Sequence, residues 1–356
     1  MGNKLSISQK ILLEYSRLKN LQRKNEHALC QLFWECTLKC NLHCLHCGSD
    51  CKTDNSQNDM PLFHFERVLD EIKEYMSSKD ILVITTGGEP LIRKDIVDCG
   101  KSITERGFMW GMVSNGMLLT LEKLDELIDA GLKTISISFD GFEKEHNWMR
   151  GYPESFKRAE VAIAALMQRN IVWDVITCVN KVNVDNIVQF RDYLISRGIK
   201  HWRIFTVFPA GRAKDNDNLQ LTSEQYKYLL EFITQTRRER KIDLSYGCEG
   251  FLGNYELKVR NYPFFCQAGI NVASILNDGS ISGCLSIRSN YNQGNIYENS
   301  FIDVWNTQFQ LYRNREWMKN GDCTSCKMWR YCEGNGMHLR DDNGSLLLCN
   351  MSKISQ

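Results

Sequence analysis

Three cysteines, in the run Cys40-Asn41-Leu42-His43-Cys44-Leu45-His46-Cys47, put three thiols into one short loop at spacings of four and three residues. Thiolates so placed make a metal nest, and their number is informative. A structural zinc or a closed iron–sulfur cluster takes four protein ligands, so C-x3-C-x2-C leaves one metal corner for a group that is not protein. The same residues also allow a zinc knuckle completed by Cys36 or Cys51. Further along, Gly87-Gly88-Glu89-Pro90 offers two glycines that let the backbone come close to a ligand, and a carboxylate suited to a ligand ammonium. A second set follows in the last third of the chain: Cys248, Cys266, Cys284, Cys323, Cys326, Cys332 and Cys349. Fifteen cysteines in all are too many for core filler, and a reducing compartment argues against a disulfide framework, so metal is the default explanation. A zinc ribbon remains open for Cys323 to Cys349.

These groups need strand and loop ends to hold them. The segment 4–26 places Leu5, Ile11, Leu12, Tyr15 and Leu18 at mostly helical intervals, which predicts an amphipathic helix packed on the main domain. Gln31 to Glu35 reads as the first strand. Strand and helix patterns then alternate: helix 62–77, strand 81–85, helix 95–106, strand 108–114, helix 120–130 begun by Thr120 and ended by Gly131, strand 133–139, helix 154–169, strand 171–179, helix 184–197 and strand 201–207. Six strands alternating with helices imply a parallel sheet with right-handed crossovers. The lack of a seventh and eighth unit predicts an α/β fold of the partial (β/α)6 barrel type, with ligands at the strands' C-terminal ends. A helix from Ser223 to about Arg240 follows the polar loop 209–218. From Tyr246 the chain turns rich in Cys, Gly and Asn, with one short helix suggested by Phe301, Val304 and Trp305. The expected division is an N-terminal extension 1–29, a barrel 30–240 and a metal-organised domain 241–356.

A formal charge of +1 supplies no field to draw the protein to nucleic acid or to an anionic membrane. Met1 to Lys10 is polar, without an apolar core of signal-peptide length, and no apolar run is long enough to span a bilayer. A cytoplasmic location is expected.

The cysteine loop followed by Gly87-Gly88-Glu89-Pro90 resembles the radical S-adenosylmethionine (SAM) enzymes. The resemblance implies that Cys40, Cys44 and Cys47 hold a [4Fe-4S] cluster whose open iron is chelated by SAM, and that the Glu89 segment holds the SAM amino group. It places Ser114, Asn115, Ser138, Asp140 and Asn180, each at or after a strand end, near SAM or substrate, and Arg150 near the SAM carboxylate. His46, just before the third cysteine, is expected to shield the cluster and not to ligate it.

The later cysteines resemble a SPASM domain, which implies two auxiliary [4Fe-4S] clusters. Cys323, Cys326, Cys332 and Cys349 complete one. The other would take Cys248, Cys266, Cys284 and a cysteine four residues after Cys332, where this chain has Gly336. His338 and Asp341 stand near that gap, and His338 is expected at the surface. Leu285 follows Cys284, where enzymes that oxidise sulfatase residues carry an acidic base, and a leucine accepts no proton. The resemblance therefore implies a reductive SAM cleavage that modifies a peptide or protein, with an electron donor such as flavodoxin or ferredoxin. Small-molecule chemistry, for example on a tetrapyrrole, is the second enzyme class, and a zinc-stabilised binding module the non-enzyme rival.

Overall fold

A computed structural model describes residues 5–54, 56–214 and 216–355. The predicted helix start at Lys4, and Asp215 in the loop after the sixth strand, lie outside the described residues. Six strands form where apolar runs predicted them: β1 (Gln31–Thr37), β2 (Leu82–Gly87), β3 (Met109–Ser114), β4 (Leu132–Ser138), β5 (Val172–Val179) and β6 (His201–Thr206). All pair in parallel and in order. Consecutive buried positions in β1 to β4 mark strands covered on both faces, whereas burial alternates along β5 and β6.

The sheet is larger than six strands. β7 (Asp243–Tyr246) adds in parallel beside β6, so the expectation of no seventh strand is corrected, and the sheet continues past residue 240. On the opposite edge β8 (Val272–Ile275) pairs in parallel with β1, and β9 (Ser280–Ser282) and β10 (Gly294–Asn295) extend it antiparallel. One ten-stranded sheet, ordered β10-β9-β8-β1-β2-β3-β4-β5-β6-β7, thus carries residues from both cysteine-rich regions.

Helices α1 (Ile7–Glu26), α2 (Leu62–Tyr75), α3 (Ile96–Glu105), α4 (Leu121–Asp129), α5 (Glu143–Arg150), α6 (Ser155–Leu166), α7 (Ile187–Ser196), α8 (Ser223–Glu239) and α9 (Phe301–Thr307) complete the frame. Thr120 caps α4 through the Lys123 amide at 3.1 Å, as its side chain suits. Trp34, Trp110 and Trp202 are wholly enclosed. Their size sets local requirements: a Cβ on Gly100 would lie 2.1 Å from Trp110, so α3 can approach the sheet only with glycine there.

α1 does not pack as predicted. Its one buried residue, Leu13, meets Phe251 and Phe264, Glu14 binds Arg330 through both carboxylate oxygens at 2.7 and 2.8 Å, and Lys24 pairs with Glu333. The helix rests on the C-terminal third of the chain, not on the barrel, and Ile7, Ile11, Tyr15 and Leu18 stay exposed. No helix among the described residues is long and apolar enough to cross a membrane.

Candidate active site

The cysteine loop leaves the C-terminal end of β1 and is clamped from three sides. The glycines of Gly87-Gly88 press on the backbone just before Cys40: a Cβ would lie 2.3 Å from the Thr37 oxygen at Gly87 and 2.0 Å from the Lys39 oxygen at Gly88. The Gly88 amide donates to Thr37 O at 2.7 Å and the Glu89 amide to Lys39 O at 2.9 Å. The glycines therefore admit the cluster loop's own backbone, a use the sequence reading had given to a ligand. On a second side α5 ends against the loop, where Leu45 N donates to Met149 O at 2.9 Å and a Cβ on Gly151 would sit 2.8 Å from His43 O. On the third, Arg212 donates from Nε to Cys44 O at 2.7 Å and from Nη1 to Cys51 O at 3.0 Å. Arg212 had no role in the sequence reading, since a lone arginine after a Pro-Ala-Gly turn carries no motif.

Glu89 is fully buried. Its carboxylate accepts from Ser114 Oγ at 2.8 Å, Asn115 N at 2.7 Å and Leu91 N at 3.2 Å. Burial pushes its pKa up to about 7 against those three donors, so the site gains from a cation that would keep it ionised. Asn115 also donates to Asn41 Oδ1 at 2.8 Å inside the cysteine loop. Across the loop, Arg150 forms a buried pair with Asp140 at 2.6 Å, and its Nη1 points at Cys44 Sγ at 3.7 Å. Asp140 also accepts from the Cys178 amide at 2.8 Å; although burial opposes it, the Arg150 guanidinium holds its carboxyl below the ordinary range. These residues make one connected network. Ser138 stands outside it, whereas Asn180 joins through Asn183, its backbone N donating to Asn183 Oδ1 at 2.8 Å and Asn183 Nδ2 donating to Asp140 O at 2.9 Å. Ser138 closes β4 half-buried, and the Asn180 amide is spent on its own turn, accepting from Val182 N at 2.8 Å and donating to Cys178 O at 3.3 Å.

Burial raises the Cys40 thiol to about 12 and also raises Cys44, where Arg150 opposes it. The Cys51 thiol donates to Cys47, holding Cys47 down at about 5 and pushing Cys51 up. Cys36 lies apart in the core beneath Arg93, which donates to its carbonyl at 2.8 Å. The residues present do fit a cluster with an exchangeable fourth ligand: three neighbouring thiols, a buried carboxylate, and two enclosed nitrogens, Arg150 Nε and His46 Nδ1, with no hydrogen-bond partner. Burial drives His46 down to about 4, consistent with a neutral ring.

The later cysteines gather in two groups. Burial raises Cys332, and the fields of Cys349, Cys323 and Cys326 add to it. Arg340, wholly enclosed, donates to Cys323 Sγ at 3.1 Å and to the carbonyls of Gly334 and Gly344 at 2.9 and 2.8 Å; sequence reasoning missed it for want of a motif. Burial raises Cys248, with the fields of Cys284 and Cys266 adding to it. Gly336 has no side chain to offer that second group. His338 is not at the surface as expected but 8 % exposed, because it turns inward against Phe208 at 5.0 Å between ring centroids. Asp341 is occupied, its Oδ1 accepting from Asn343 N at 3.0 Å and Ser345 N at 2.8 Å.

Between the cysteine loop and the segment after Cys284 lies a cavity of about 210 Å³, lined by Glu35, Gly48, Gly87, Phe208, Leu285 and Arg288 among others. Its carboxylate is tied down, since Glu35 accepts from Arg288 at 3.3 Å and from Asn277 N at 3.2 Å.

Residues 34–194 match the Radical SAM superfamily, and residues 266–327 match the SPASM iron-sulfur cluster-binding domain. The chain is 26% identical over 321 residues to the AdoMet-dependent heme synthase of Methanosarcina barkeri, covering 85% of this chain and 89% of that one. It is 25% identical over 331 residues to the PqqA peptide cyclase of Methylobacterium nodulans, covering 87% and 83%. Native anSMEcpe with bound AdoMet and the Cp18Cys peptide has the same fold, with a TM-score of 0.69 at 18% identity over 90% of this chain and 92% of that one.

Proposed function

Because the chain is a radical SAM enzyme with a SPASM iron–sulfur domain, we propose that it modifies a peptide or protein by hydrogen abstraction. When bound, the [4Fe-4S] cluster and SAM supply a 5′-deoxyadenosyl radical. In this reading Cys40, Cys44 and Cys47 hold the cluster, Glu89 receives the SAM ammonium, and Arg150, braced by Asp140, faces the SAM carboxylate. Cys248, Cys266, Cys284 and the Cys323 group serve auxiliary clusters, and a flavodoxin or ferredoxin supplies electrons.

The observation that carries the reading is the cavity between the cysteine loop and Leu285. At about 210 Å³ it is smaller than the roughly 300–1,000 Å³ that encloses a whole drug-sized ligand, and it suits one side chain of a longer substrate. A peptide cyclase among the relatives supports the same substrate class. Leu285 and the tied Glu35 leave no free carboxylate there, which counts against oxidation of a serine or cysteine by a base at this position. A second reading, a tetrapyrrole substrate, rests on likeness to the heme synthase.

The test is anaerobic turnover of reconstituted enzyme with reductant, SAM and a peptide encoded beside it. A mass change in the peptide, with deuterium passing from labelled peptide into 5′-deoxyadenosine, is expected. Deuterium transfer from an iron tetrapyrrole and none from peptide would reverse the choice.

A further inference from the structure

We propose that the His338 imidazole is the fourth protein ligand of the auxiliary cluster held by Cys248, Cys266 and Cys284, standing in for the thiol missing at Gly336. The substitution is spatial. A Cβ built on Gly336 would lie 2.6 Å from His338 Cε1 and 2.8 Å from Nδ1, so the ring fills the space where a residue-336 side chain would begin. A side chain at position 336 would require this ring to move.

The ring is placed between the segments that carry the other ligands. Asn335, next to Gly336, accepts from Phe251 N at 3.2 Å, and Gly250 is kept bare because a Cβ there would meet Asn335 Oδ1 at 2.0 Å; this lashes the 335–338 turn to the strand end bearing Cys248. Phe208, edge-on to His338, lines the same cavity as Leu285, the residue after Cys284. His338 as a whole is more than nine-tenths buried. Neutral imidazole is an established iron–sulfur ligand that raises potential relative to thiolate. Asp341 is turned to its own loop, its Oδ1 taking both the Asn343 and Ser345 amides.

The inference is independent of the substrate. Its test uses full-length Cys40→Ala/Cys44→Ala/Cys47→Ala protein, reconstituted anaerobically so that only auxiliary clusters remain. Pulsed EPR of the reduced protein should show a nitrogen coupling stronger than that of backbone amides. The coupling should vanish in His338→Ala while cluster absorbance persists. The paired exchange Gly336→Cys/His338→Ala should restore the full auxiliary iron content without the coupling, and at a lower midpoint potential. The proposal is overturned by no such coupling in the starting protein, by an unchanged coupling in His338→Ala, by failure of the paired variant to hold the cluster, or by a starting protein with only about four irons.

Discussion

Gly88→Ala isolates the contact that joins the Glu89 segment to the cysteine loop. Gly88 has an ordinary backbone conformation, so the substitution is steric alone: its Cβ would meet Lys39 O at 2.0 Å and Lys39 C at 2.7 Å, both backbone. Reaching an ordinary contact of 3.4 Å requires an opening of about 1.4 Å, and the residue that must move is next to Cys40. The Gly88–Thr37 and Glu89–Lys39 hydrogen bonds would be lost, at about 0.5–1.5 kcal/mol each, for a destabilisation of about 1–3 kcal/mol. A shift of this size at a reacting centre costs on the order of a hundredfold in rate. Thermal unfolding and the rate of 5′-deoxyadenosine formation under strong reductant measure the two effects. Gly48→Ala, whose Cβ would lie 3.6 Å from Phe208 Cζ, is the steric control for Tm. A Gly88→Ala protein with the Tm of that control, and SAM cleavage within threefold of the parent, would refute the reasoning.

Glu89→Gln keeps the shape but replaces an acceptor of three donors and removes the charge. SAM affinity, read by equilibrium dialysis, should fall by roughly tenfold or more, the value of a charge-assisted bond, and an unchanged affinity would discard Glu89 as the ammonium partner. The Cys40→Ala/Cys44→Ala/Cys47→Ala protein should lose SAM cleavage and retain about eight of about twelve irons; continued 5′-deoxyadenosine formation would contradict the loop's assignment. Hydrogen bonds from Arg330 and Arg17 hold the Glu14 carboxyl down at about 2 from its ordinary 4.5. Its folded value is depressed, so its contribution is present above 4.5 and is lost as pH falls toward 2. Amide protection factors in α1, corrected for the intrinsic pH dependence of exchange, should therefore fall over that acid window in the parent and change less in Glu14→Gln; equal profiles would mean that the ion pair does not anchor the helix.

The six barrel strands were legible because each is a six- to eight-residue strand rich in apolar residues and set between helical patterns. β7 was not, since Asp-Leu-Ser-Tyr is only four residues long, and β8 to β10 are no longer than that and are held by pairing partners distant in sequence or by one another. α5 was missed for a different reason: Glu-Lys-Glu-His-Asn-Trp-Met-Arg reads as a solvated segment, yet His146, Met149 and Arg150 are turned inward. Within the site, residue types announced the chemistry and hid the mechanics. Cysteine spacing exposed the nest, but nothing in the sequence said that Gly87 and Gly88 admit backbone, that Arg212 pins the loop, or that Arg340 reaches Cys323. Those roles depend on which carbonyls the fold leaves unpaired, a property of tertiary placement.

The sheet explains how distant cysteine-bearing segments come to be fixed relative to one another. β1 leads directly into the cysteine loop, pairs on one side with β2, which ends in Gly87, and on the other with β8. β8 lies between Cys266 and Cys284 in the chain, so the auxiliary segment is hydrogen-bonded to the same strand that carries Cys40. Movement of either segment along its axis would break a parallel ladder, whereas a domain joined by a linker alone would be free to drift. Glu35 reinforces the junction from within, taking Asn277 N from the β8–β9 turn and Arg288 from beyond Cys284. The cavity under Leu285 is consequently bounded by a wall that cannot retreat without unpairing β1. The spacing between that cavity and the cysteine loop is set by strand pairing, not by a hinge.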